Sequence, residues 1–168
     1  MRTDNGSLCM TVETATMNPQ ETDLVTTLAM RERYRDRYWR TRDPIADDRL
    51  TWRAQSFRHK VHLLPTQTIL ELGCGDGRFT RRLLKVSRGE NPITAVTFDS
   101  ASPRPEDLSA VVEYFAASSF PGVLAGRRFD FIIAMDLLDR GNCAWMMQKL
   151  YDLLKPGGGH AEDLRQHS

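Results

Sequence analysis

Apolar positions recur at two different spacings along this chain, and the change falls near residue 66. Residues 1–17 show no period and read as a mobile, disordered tail. From Asn18 the pattern becomes helical. Asn18 suits an N-cap, Pro19 a first helical position, and Glu21 the acidic place of a capping box. This predicts a helix from Pro19 to about Trp39, with Leu24 and Leu28 one turn apart. Asp43 and Pro44 repeat the start signal. Ile45, Ala46, Leu50, Ala54, Phe57 and Val61 then form an apolar stripe at helical spacing, with Arg49, Arg53, Arg58 and Lys60 largely off it, and Pro65 stops the second helix.

Beyond residue 66 the runs become short and β-branched. "TILEL", "ITAVTF" and "RRFDFIIAMDLL" read as buried strands, as parallel strands do. "RFTRRLLKV" places Phe79, Leu83 and Val86 on one helical face. "AVVEYFAASSF" fits a strand or a helical face, and the strand is preferred. Asn142 caps a last helix with Met146, Leu150, Leu153 and Leu154 inward, and "KPGGG" stops it. Strand and helix thus alternate from Thr68 to Lys155, the pattern of βαβ units on a parallel sheet. The divisions expected are a tail over 1–17, a helical cap over 18–65, an α/β core over 66–159 and a polar tail over 160–168.

Composition narrows this little. The chain has 168 residues, enough for one domain, with a formal charge of +1. Residues 31–60 are locally basic, with ten Arg or Lys against five Asp or Glu. A solvated face with snorkelling side chains is the plain reading of that excess; an acidic small substrate or RNA is the other. Three cysteines, Cys9, Cys74 and Cys143, suit neither a disulfide framework nor a zinc site and fit a reducing, cytoplasmic setting. No apolar run is long enough to cross a bilayer; the longest candidate is interrupted by Asp130 and Asp136.

The candidate chemistry lies in "ILELGCGDGRF", residues 69–79. Gly73, Gly75 and Gly77 follow the first strand, where parallel sheets place their ligand crevice. Bare backbone there permits a sharp turn and close approach of a ligand. The spacing is G-x-G-x-G. A dinucleotide fingerprint needs its third glycine one residue later, which disfavours hydride transfer.

This stretch resembles motif I of class I S-adenosylmethionine-dependent methyltransferases. "FDFIIAMDLLD" resembles their fourth strand, and "LYDLLKPGG" the helix and turn that follow. The resemblance spans Thr68 to Gly158 and implies a Rossmann-like parallel sheet with flanking helices, preceded by two N-terminal helices. It implies S-adenosyl-L-methionine as cofactor and a small-molecule acceptor. Glu71 would face the methionyl amine, and Gly73, Cys74, Gly75 and Gly77 would line the cofactor. Asp99 would hold the ribose, with Thr97 as the alternative register. Ser118 or Ser119 would stand near the adenine, where many members have an acidic residue. Asp136 would join the cofactor-binding residues at the end of the fourth strand; it, Asp139 and His160 would lie toward the acceptor, with solvated or capping groups as the alternative. "MDLLD" lacks the proline- and aromatic-rich motif of nucleic-acid amine methylases, which excludes DNA and disfavours RNA. His59, His62 and Cys143 read as surface or packing residues. For Tyr34, Tyr38, Trp39 and Trp52, helix packing is the default and a substrate lid the alternative.

Members of that family continue with a fifth strand, a helix and a closing hairpin. "GHAEDLRQHS" has no strand pattern, so the expectation is an incomplete sheet with its fourth strand at an open edge. Such an edge would suit a homodimer. The alternative to an enzyme is a truncated, non-catalytic remnant that binds the cofactor or serves as an interaction module.

Overall fold

The computed structural model describes residues 19–102, 104–108, 111–116, 120, 122–157 and 161–163. Its elements run α1 (Pro19–Thr41), α2 (Ala46–Lys60), β1 (Ile69–Leu72), α3 (Arg78–Ser87), β2 (Ile93–Thr97), β3 (Val112–Ala116), β4 (Phe131–Ala134), α4 (Cys143–Tyr151) and β5 (Ala161–Asp163). The sheet is parallel throughout, in the order β3-β2-β1-β4-β5. The ambiguous run at residues 112–116 is a strand.

Every residue of β1 and β4 is buried, as expected of strands covered on both faces. Alternation along β1 sorts the core. Ile69 packs with Ala95, Phe131 and Ile133 beneath α2 and α3, where Phe57 meets Phe131 edge-on at 5.7 Å. Leu70 and Leu72 pack on the other face with Val96, Ile132 and α4 residues Met146 and Leu150. The chain is thus a three-layer α/β unit with β1 at its centre.

Three expectations need correction. First, β4 is not an edge. Residues 161–163 pair with it in parallel, with Ile132 opposite Ala161 and Ala134 opposite Asp163. A three-residue strand is held by backbone hydrogen bonds and is too short to show a side-chain period, so its polar sequence gave no sign of it. The bare β4 on which homodimer pairing depended is therefore absent. Second, Arg53 is buried with Ala46, Leu50, Ala54 and Phe57, while Ile45 is exposed. Arg53 lies three residues after Leu50 and four before Phe57, squarely on the buried stripe. Third, the Asn142 side chain makes no capping bond to α4. Its amide donates to the Leu137 carbonyl, and Asp139 Oδ1 accepts from the Gly141 and Asn142 N–H groups instead.

No described helix is long and apolar enough to cross a membrane.

Candidate functional site

The glycine turn begins where β1 ends. Gly73 and Cys74 N–H both donate to the Val96 carbonyl of β2, at 2.7 and 3.1 Å, tying the turn to the neighbouring strand. Gly73, Gly75 and Gly77 have φ of +70°, +52° and +75°. L-residues with side chains rarely adopt such angles, so the motif's glycines are needed for its backbone alone. The turn leads into α3 and sits between β2 and β4, the crevice position of an open parallel sheet.

What fills that crevice is α1. A Cβ on Gly75 would lie 1.8 Å from Asp36 Oδ2, and one on Gly73 would lie 2.2 Å from Leu137 Cδ1. Four charged residues of the helix, Glu32, Arg33, Arg35 and Asp36, make its polar contacts with the strand ends. Glu32 accepts from the Thr97 hydroxyl (2.6 Å) and the Phe98 N–H (2.8 Å). Arg33 grips Asp99 with two bonds, at 2.6 and 2.9 Å. Arg35 donates to the carbonyls of Gly73 (2.6 Å) and Met135 (2.7 Å) and stacks 4.6 Å from the Trp39 ring. Asp36 accepts from Arg35 and from the Asp76 N–H. The helix thereby engages the ends of β1, β2 and β4 together.

Glu71 lies beneath this layer, 1 % exposed, and its Oε2 has no hydrogen-bond partner among the described residues. Burial pushes its carboxyl from 4.5 up to about 7, against the pull of the nearby Thr80 hydroxyl and the Arg35 guanidinium. Burial also raises Glu32 and Asp36, and raises the Cys74 thiol well above its ordinary value. Asp99 differs. The Arg33 guanidinium holds its carboxyl below the usual range. Three buried carboxyls, Glu32, Asp36 and Glu71, therefore share the buried guanidinium of Arg35.

The expected site residues Glu71, Gly73, Cys74, Gly75, Gly77, Asp99 and Asp136 all fall at or just beyond the carboxyl ends of the strands. Thr97 is the last residue of β2 and faces Glu32, whereas Asp99 follows in the turn and faces Arg33. Asp136 has φ of +53° and pairs with Arg53 of α2 at 2.8 Å. Asp139 is an ion-pair partner of Arg31 and a loop-capping group. Ser118, Ser119 and His160 lie outside the described residues. Tyr34, Tyr38 and Trp52 are exposed, while Trp39 lies on the buried face of α1.

Sequence reasoning missed Glu32, Arg35 and Asp36. Their signal was spacing: with Leu28 and Trp39 they continue one helical face at i, i+4, i+7, i+8 and i+11.

Gly75→Ala is expected to destabilise the chain by about 2 kcal/mol, from the left-handed backbone and the displaced Asp36 carboxylate. Chemical denaturation measures it. A loss within error of zero would mean that Asp36 does not occupy the turn.

A methyltransferase-domain family matches residues 69–158, more than half of the chain. The chain belongs to this family. Among solved structures, coclaurine N-methyltransferase bound to N-methylheliamine and S-adenosylhomocysteine is 20 % identical, with a TM-score of 0.54 over 70 % of this chain and 34 % of that one. The plantazolicin methyltransferase BpumL, solved with a substrate analogue and S-adenosylhomocysteine, is 15 % identical, with a TM-score of 0.54 over 81 % and 58 %. These methyltransferases share the fold; the present chain spans about a third to under two thirds of their length. No curated protein matches in sequence.

The strand side of this methyltransferase crevice fits an adenosyl sulfonium: a glycine turn with bare backbone, a buried carboxyl at Glu71 with one oxygen lacking a hydrogen-bond partner among the described residues, and a carboxylate at Asp99. The helix side does not, because Asp36 already stands against Gly75.

Proposed function

We propose that the chain is the S-adenosyl-L-methionine-binding core of a methyltransferase acting on a small-molecule acceptor. The observation that carries this reading is the left-handed glycine turn at the end of β1, beside the buried Glu71 carboxyl, whose Oε2 has no hydrogen-bond partner among the described residues. S-Adenosylhomocysteine in both similar structures supports it. Glu71, Gly73, Cys74, Gly75 and Gly77 would contact the cofactor, and Asp99, the carboxylate of the β2 turn, would take its hydroxyls; Thr97 is the other β2 group within reach.

For the acceptor, a groove of about 840 Å³ opens between α1 and α2, bordered by Met30, Tyr34, Arg53 and Asp136. Its mixture of aromatic and charged walls suits a small organic molecule. A cavity of about 800 Å³ on the far side of α2, lined by Arg58, His59, His62 and Lys85, shares none of these residues. DNA is not a partner in this reading, RNA is disfavoured, and the setting is cytoplasmic.

A second reading, a non-catalytic module, is favoured by one observation, the filled crevice. Calorimetric titration of the full chain with S-adenosylmethionine and S-adenosylhomocysteine tests both. Saturable binding of each is the expected result. Absence of binding by either would overturn the cofactor reading; binding without turnover on a panel of acceptors would favour the module.

A further inference from the structure

We infer that α1 is a displaceable plug in the cofactor crevice, with the Arg35 guanidinium standing where a cationic group of the ligand would sit. The inference rests on the reading proposed above.

The helix presses Asp36 against Gly75, so no ligand can lie along the turn while α1 stays in place. Apart from Glu71 Oε2, the polar groups that line the crevice at the strand ends are largely used by α1: the Gly73 and Met135 carbonyls by Arg35, the Phe98 N–H and Thr97 hydroxyl by Glu32, the Asp99 carboxylate by Arg33, and the Asp76 N–H by Asp36. A ligand with a cation at one end and hydroxyl donors at the other would replace Arg35 and Arg33 in kind.

Between Leu28 and Trp39, every buried residue of α1 is charged: Glu32, Arg35 and Asp36. Charged groups gain far more from water than apolar ones when they leave a crevice. On either side of that stretch Leu28 and Trp39 seat the helix in the two apolar cores, and ion pairs of Glu21 with Lys149, Arg31 with Asp139 and Arg40 with Asp76 hold it further. Closure by charge, where an apolar face would otherwise be expected, makes a contact that an ionic ligand can compete against. Apparent affinity then scales with the fraction of molecules whose crevice is open.

Full-length protein and S-adenosylhomocysteine provide the test. Arg35→Gln is unsuited alone, because loss of that guanidinium weakens the fold as well as the plug. Arg33→Ala is the better variant, since its side chain is largely exposed and touches the crevice only through Asp99. The expected result is S-adenosylhomocysteine binding about fivefold tighter in Arg33→Ala than in the unaltered chain. Saturating ligand should also speed hydrogen exchange across residues 19–41 of the unaltered chain, leaving β1 and β2 protected. Binding that is equal in both chains, or that slows exchange in α1, would overturn the plug and leave the cofactor reading standing. No binding to either chain would overturn both.

Discussion

Arg35→Ala is expected to cost the fold about 3–5 kcal/mol, the range for breaking a buried ion pair from one side. The guanidinium is the buried cation among Glu32, Asp36 and Glu71, and it also satisfies the Gly73 and Met135 carbonyls. Alanine would leave those carboxyls without their counter-charge and both carbonyls without a donor. Urea denaturation at two pH values checks the expectation. The deficit should be larger at pH 8 than at pH 5, because protonated carboxyls no longer need the guanidinium. A loss below about 1 kcal/mol, typical of an exposed pair, would mean that α1 does not sit in the crevice.

Glu71→Gln is expected to act in the opposite direction. A carboxyl whose pKa rises on folding binds its proton more tightly in the native state than in the unfolded one. Native stability is then undiminished below the unfolded value of 4.5 and falls as pH rises toward about 7. At about 1.4 kcal/mol per unit, that shift amounts to about 3 kcal/mol above neutrality. Glutamine has no charge to desolvate. The variant should match the parent near pH 4 and exceed it by about 3 kcal/mol at pH 8. Thermal or urea unfolding across that range would show it. A parent stability that does not fall between pH 5 and 7 would refute the buried state of Glu71.

Much of the fold was legible because its strands are short apolar runs and its helices have recurring stripes. The glycine turn was legible for a stricter reason: only glycine adopts φ of +52° to +75° at three alternate positions without strain. Glu71 and Asp99 were legible only through the family resemblance that the turn carries, since a lone carboxylate at a strand end has no pattern of its own. The contribution of α1 was hidden because charged residues read as solvent-facing by type, and type outweighed position. Glu32, Arg35 and Asp36 lie on the same helical face as Leu28 and Trp39, and that geometry alone points them inward. Arg53 repeats the lesson between Leu50 and Phe57. β5 was hidden differently, since three residues cannot display a period.

At the opposite end of the sheet, Asp130 Oδ2 accepts from the Thr68 N–H, the Thr68 hydroxyl and Lys155 Nζ, at 2.7, 2.8 and 2.6 Å. That carboxylate fastens the starts of β1 and β4 to the segment after α4 with every charge matched. The two rims of the molecule are thus unequally stitched. Under mild alkali, disorder would spread from the rim where acid groups outnumber their counter-ions, and the Asp130 seam would be the last to part.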